Sequence, residues 1–242
     1  MNSPYLKVVS RKRAWTPLEV SKGDLVLGSE DALHRALALR ILELPVKEFL
    51  GEALDKDLPK VEGVREALMS NQRDEDKHDL GLSYVVQAHG VVEKSEREAS
   101  RILKAWLDAP EHPILKASIL ERSVFFVLLP FFRFNGDMGI RSLAADISRD
   151  EQTHVAIHGM VCHDLGLKST ANLNKLRRAT VAWVMDGLET STHENKYLDK
   201  DFWMKSSDSL YLRGKAEGLA DTQRARMPAF FESSNVNLPK YG

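Results

Sequence analysis

A chain of 242 residues can bury one sizeable core, and 43% hydrophobic with 29% charged residues is ordinary for a soluble globular protein. A formal net charge of -1 removes any electrostatic case for nucleic acid or an anionic membrane. The lone Cys162 excludes an intrachain disulfide and fits a reducing cytoplasm.

Met1 to Trp15 lacks an apolar signal core, and the most apolar run, Val124 to Phe132, is too short for a bilayer and contains Pro130. A cytoplasmic protein that stays off the membrane is therefore expected. Apolar residues recur at three- and four-residue steps with almost no alternation, which predicts an all-α chain. Residues 1–28 read as an N-terminal arm whose basic cluster, Arg11-Lys12-Arg13, is a solvated loop.

The helical domain is expected over 29–226. Its first helix runs from about Ser29, a good N-cap type, to about Leu54, and Asp55 to Gly63 with Pro59 breaks it. A second runs from Val64 towards Val92, with a helix or continuation through Ala105 to Leu107. After Ala109-Pro110, Pro113 opens a helix reaching Phe134, and Asn135-Gly136-Asp137 form a turn. A long helix follows from about Met138 to Leu165, closed by Gly166. Further helices are expected over about Asn172–Leu188 and Ser207–Arg226, then an irregular tail from Pro228 to Gly242. Residues 29–92 and 113–165 thus form two similar helical hairpins.

Two Glu-x-x-His motifs stand out, Glu75-Asp76-Lys77-His78 and Glu151-Gln152-Thr153-His154. Residues three apart share a helix face, so each motif aims a carboxylate and an imidazole at one point. Paired motifs of this kind, each joined by a single Glu from a neighbouring helix, are the ligand pattern of di-iron and di-manganese carboxylate bundles. Glu121 meets that requirement in the second hairpin, as a charge on the apolar stripe of Ala117, Val124, Phe125 and Leu128. Burying a bare carboxylate there is costly, and a metal removes the cost. Taken about the turn near Asp137, Glu121 and Glu151 come level in an antiparallel hairpin.

In the first hairpin Glu43 shares a stripe with Ala32, Ala36, Leu39, Val46 and Leu50 and comes level with Glu75. Glu48, which shares a face with Leu37, Ile41 and Leu44, competes but lies nearer the turn; Glu43 is favoured. The intervals are 32 residues from Glu43 to Glu75, 46 to Glu121 and 30 to Glu151, two near-equal hairpins flanking one longer crossover. The expected architecture is a ferritin-like four-helix bundle with additional C-terminal helices. Its expected ligands are Glu43, Glu75, His78, Glu121, Glu151 and His154, a mixed N/O set suited to iron or manganese. His158, one turn beyond His154, is expected beside the metal shell.

At Ile147-Ser148-Arg149-Asp150-Glu151-Gln152-Thr153-His154 the sequence resembles the small, radical-generating subunit of class I ribonucleotide reductase. The likeness covers roughly 29–165. It implies that Glu151 and His154 bind metal and that Asp150 orients a ligand histidine. It also implies a di-iron or mixed manganese/iron centre, dioxygen as co-substrate, a homodimer, and a large catalytic partner subunit. Trp15 and the penultimate Tyr241 are then possible relay aromatics.

The pattern departs from the family at Leu82, where the radical Tyr stands four residues after the first ligand His; Tyr84 is about 200° round the helix. A Leu stores no radical. The compact crossover is more similar to acyl-carrier-protein desaturases, aldehyde-deformylating oxygenases and arylamine oxygenases. A stand-alone oxygenase or oxidase of a small molecule is therefore the alternative, and a non-enzymatic iron-binding bundle a third reading.

Overall fold

The computed structural model describes residues 3–56, 58–189 and 195–213. Four helical rods form the centre. The first is α2 (Glu30–Ala38) continued by α3 (Glu43–Leu54), after a short α1 (Pro4–Val9) in the arm. The second is α4 (Val64–His89); α5 (Glu93–Leu107) then crosses over. The third rod is α6 (Pro113–Leu120) continued by α7 (Phe126–Asn135), and the fourth is α8 (Met138–Asp164). After these come α9 (Ala171–Met185) and α10 (Lys200–Arg213).

The rods close a ring: α3 packs on α4 and α6, α4 packs on α8, and α6 and α7 pack on α8. One crossover between two antiparallel hairpins is the ferritin-like connection. No strand occurs among the described residues, and no helix there is long and apolar enough to cross a membrane.

Local chemistry sets the rods' ends. Gly90, at φ +87, stops α4, where the sequence reading ran on to Val92. Asp137 caps α8 by accepting from the Ile140 amide at 2.9 Å. Past the other end, Gly166 takes φ +65 while the Leu167 amide returns to the Cys162 carbonyl at 2.8 Å. Ser29 does not cap α2 as expected; its hydroxyl donates to the Val26 carbonyl, and the Glu30 carboxylate accepts from the Gly28 amide instead.

Two interruptions were not foreseen. The first rod tightens to a 3-10 turn over Leu39–Leu42, so Glu43 opens a new helix. The third rod widens to a π-turn over Glu121–Phe125. There the Ser123 carbonyl accepts from the Ser207 hydroxyl of α10 at 2.8 Å. That contact also corrects the last helix, which begins at Lys200 rather than near Ser207. The rest of the expected helix to Arg226, the irregular tail and Tyr241 lie outside the described residues.

The arm is fastened along its length. Tyr5 donates to Asp164 at 2.7 Å, and the Ser3 hydroxyl donates to the Glu62 carbonyl beside Gly63. A Cβ on Gly63 would meet Leu6 at 2.6 Å, and its φ of +84 favours glycine, so α1 sits close over the start of α4. Farther on, the Gly23 amide donates to Asp137 at 2.7 Å and the Val26 amide to the Asn135 carbonyl at 3.0 Å. Between these anchors the arm carries Lys12 and Trp15 onto α4 and α8.

Candidate metal centre

Each rod delivers one carboxylate to the middle of the bundle: Glu43 from α3, Glu75 from α4, Glu121 from the π-turn and Glu151 from α8. The packing of α4 on α8 brings them together, with Leu143 of α8 seated over Gly81 of α4. His78 and His154 lie one turn beyond Glu75 and Glu151, with ring centroids 5.6 Å apart. Glu48 is exposed and outside the cluster.

The six side chains fall into two overlapping groups whose donor atoms lie within 4.8 Å of one another. Glu43 and His78 belong to one group, Glu121 and His154 to the other, and Glu75 and Glu151 to both. His78 Nδ1 is 3.3 Å from Glu151, 3.5 Å from Glu75 and 3.8 Å from Glu43. His154 Nδ1 is 3.1 Å from Glu75 and 3.5 Å from both Glu121 and Glu151.

The donor set fits two divalent cations. Both oxygens of Glu75, Glu121 and Glu151, Oε2 of Glu43 and Nδ1 of both histidines are buried without a hydrogen-bond partner. Orphaned buried groups in such number are costly, and ligation of two cations would satisfy most of them.

Electrostatics divide the cluster. Burial raises the Glu43 carboxyl well above the usual range, with Glu75 and Glu151 adding to the effect against His78. Burial works the same way on Glu75 and Glu151, but the two imidazoles overcome it and hold both acids low. Burial alone would depress His78 and His154; the surrounding carboxylates instead raise both far above an ordinary histidine. Metal must displace those imidazole protons. Loading is therefore expected to acidify a weakly buffered solution, and metal affinity to rise with pH through the ordinary histidine range and above it. Indicator-dye and calorimetric titrations check this; uptake independent of pH would contradict it.

Behind the imidazoles lies a crosswise second layer. Asp150 accepts from Trp15 Nε1 at 2.7 Å and faces His78 Nε2 at 3.3 Å. Asp74 faces His154 Nε2 at 3.1 Å and takes Lys12 Nζ at 2.5 Å. Each aspartate thus turns the other motif's histidine so that Nδ1 points inward. Lys77 bridges them, 2.8 Å from Asp74 and 3.2 Å from Asp150, and lies 5.1 Å over the Trp15 ring. Burial would raise both aspartates; the imidazole contacts, with Lys12 at Asp74 and Trp15 at Asp150, hold both low.

Two of these residues departed from the sequence reading or escaped it. Lys12 is not part of a solvated loop: its stem is buried and its ammonium also donates to Ser70 and Asn71. Arg11 and Arg13 are exposed as expected. Asp74 was missed, although it precedes Glu75 as Asp150 precedes Glu151, making both motifs Asp-Glu-x-x-His. Trp15, buried and stacked 6.1 Å from His78, joins the site itself. His158 is fully buried, with Nδ1 2.5 Å from Glu121 Oε2.

On the Glu43 side the wall is apolar. Leu82 lines a cavity of about 20 Å³ with Leu39, Phe125, Leu128, Leu129 and Phe132, and Arg40 and Glu43 supply its polar edge. Such a space holds one small molecule of the size of water. Farther along the same rod, Phe131 packs edge-on against Trp203 and Phe134 stacks on Tyr197 at 4.0 Å.

No family model matches the sequence, and no curated protein matches it. A solved Bacillus halodurans structure, provisionally described as a class I ribonucleotide reductase, matches over 95% of this chain and 93% of its own. The TM-score is 0.53 at 16% identity. The chain shares the ferritin-like fold of that structure. At that identity the likeness speaks for the fold, and the rods that supply Glu43, Glu75, Glu121 and Glu151 are the bundle it describes.

Proposed function

We propose that the chain is a dinuclear-metal oxidoreductase, similar to the reductase small subunit, that activates dioxygen and delivers a one-electron oxidant. The observation that carries this reading is the continuous contact from the arm inward: Trp15 Nε1 to Asp150, and Asp150 to His78, whose other nitrogen faces the carboxylates. Two iron ions, or manganese with iron, supply the oxygen chemistry when bound by Glu43, Glu75, His78, Glu121, Glu151 and His154. Asp150 holds His78 in one orientation and couples it to the indole. Lys77 neutralises Asp74 and Asp150 without entering the donor cluster. The leucines and phenylalanines around Glu43 exclude water, which protects an oxidant from quenching.

A second reading, a stand-alone oxygenase of a small apolar molecule, is favoured by Leu82. Where a radical tyrosine would stand, this chain places an aliphatic wall against Glu43. The first reading calls for a large catalytic partner subunit and a homodimer; the second needs no partner.

The test is anaerobic loading of the metal-free protein with ferrous iron, alone and with manganese, then oxygen exposure under optical and electron paramagnetic resonance detection. A long-lived paramagnetic centre or protein radical is expected. A transient that decays to a silent state would favour the oxygenase. No oxygen-dependent change would end both readings.

A further inference from the structure

The two donor groups are nearly mirror images. Each has a private glutamate, a histidine backed by the other motif's aspartate, and the shared Glu75 and Glu151. His158 breaks the symmetry. Among the described residues no second histidine accompanies His78 at Glu43 as His158 accompanies His154 at Glu121; the cavity at Glu43 is lined by Leu39, Leu82, Phe125 and Arg40.

The ring's proton can be located from its neighbours. Lys12 Nζ has only donors and lies 2.8 Å from Asn71 Oδ1, which fixes the amide with its oxygen towards Lys12. Asn71 Nδ2 therefore faces His158 Nε2, at 3.1 Å, and must donate to it. With Nε2 accepting, the ring carries its proton on Nδ1. That nitrogen is 2.5 Å from Glu121 Oε2, off hydrogen-bonding alignment, and neither atom has another hydrogen-bond partner. A protonated Nδ1 is no metal ligand, and a modest turn of the Glu121 carboxylate aligns the pair.

Resting on the metal-centre reading above, we infer that His158 is a positioning residue. It donates Nδ1–H to Glu121 Oε2, leaves Oε1 for metal, and so makes the two metal positions unequal. The chain Lys12, Asn71, His158, Glu121 ties the N-terminal arm to one metal position, while Lys12 reaches His154 of the same position through Asp74. Glu121 is held as a one-oxygen ligand.

The experiment uses the full chain with ring-¹⁵N histidine, loaded with zinc, and long-range proton–nitrogen correlation to find the proton on each ring. For His158 a protonated Nδ1 and a bare, metal-free Nε2 are expected. Asn71→Asp should place a proton on Nε2, because a carboxylate only accepts. In a manganese(II) titration followed by electron paramagnetic resonance, His158→Leu should weaken one of the two positions by about 10–100-fold, the usual cost of losing a residue that orients a metal ligand. His158→Asn, whose amide can take the Nδ1 place, should recover most of it. A metal-bound Nδ1 would make His158 a ligand and overturn the inference, as would equal manganese binding in wild type and His158→Leu. Wild-type protein that binds no zinc would sink the metal-centre reading instead, and the ring proton in metal-free protein would still decide the Glu121 contact.

Discussion

Glu151→Ala is expected to reduce bound metal from two ions per chain to none, and Glu43→Ala to leave one. The difference follows from sharing. Glu151 belongs to both donor groups, whereas Glu43 belongs to one. Removing a shared bridge leaves each position short of a carboxylate and leaves the two cations mutually unscreened. Metal analysis after anaerobic loading and desalting reads the stoichiometry. Thermal unfolding adds a second readout. A ligand at about 1,000 times its dissociation constant stabilises by roughly 4 kcal/mol. For a chain of this size that amounts to roughly 8–16 °C in Tm. Wild type should gain that increment on loading and Glu151→Ala should not.

Without metal that difference should vanish. Glu43 and Glu75 still face His78, and Glu75 and Glu121 still face His154, when Glu151 is gone, so its removal leaves neither imidazole without a carboxylate and takes one of four crowded acids out of a buried site. Metal-free Glu151→Ala should melt no lower than metal-free wild type. Two retained metals in the variant would refute the ligand assignment. A much lower metal-free Tm would mean that Glu151 serves the fold rather than the ions.

How far the sequence could have foretold this site depends on what periodicity encodes. The level pairs Glu43 with Glu75 and Glu121 with Glu151 depend only on rise per residue and turn position, so counting along two hairpins finds them. The choice of Glu43 over Glu48 followed from the same counting, and the structure leaves Glu48 exposed. The π-turn at Glu121–Phe125 was hidden, because apolar spacing does not reveal an added residue in one turn, and its carbonyl partner Ser207 is remote in sequence. Lys12 was misread for a similar reason. A basic triplet looks solvated until a distant acid is known to face it, and Asp74 lies 62 residues away. Asp74 itself was legible in the duplicated Asp-Glu-x-x-His, where it precedes Glu75 as Asp150 precedes Glu151.

Trp15→Phe is expected to keep both metals yet slow one-electron delivery through the arm by about 100-fold, the upper range for loss of a group that supports a metal ligand. Phe preserves the ring that stacks 6.1 Å from His78 but removes the Nε1–H that Asp150 accepts at 2.7 Å. It also replaces an oxidisable indole with a benzene ring that cannot carry the charge. Loss of a buried hydrogen bond to a carboxylate costs about 1.5–3 kcal/mol, so a fall in Tm should accompany the kinetic defect. Trp15→Tyr restores an oxidisable ring with a donor hydroxyl and should recover part of the rate, although not the same geometry. That partial rescue separates a relay from packing: a merely structural Trp would predict Phe and Tyr variants that track their stability alone. Stopped-flow absorption of the oxygen-exposed, metal-loaded protein, with ascorbate as the one-electron donor, measures the rate. A Trp15→Phe protein that is reduced as fast as wild type would show that electrons bypass the arm. The one-electron reading would then lose the observation that carries it, and Leu82, where a radical tyrosine would stand, would make the oxygenase the better account.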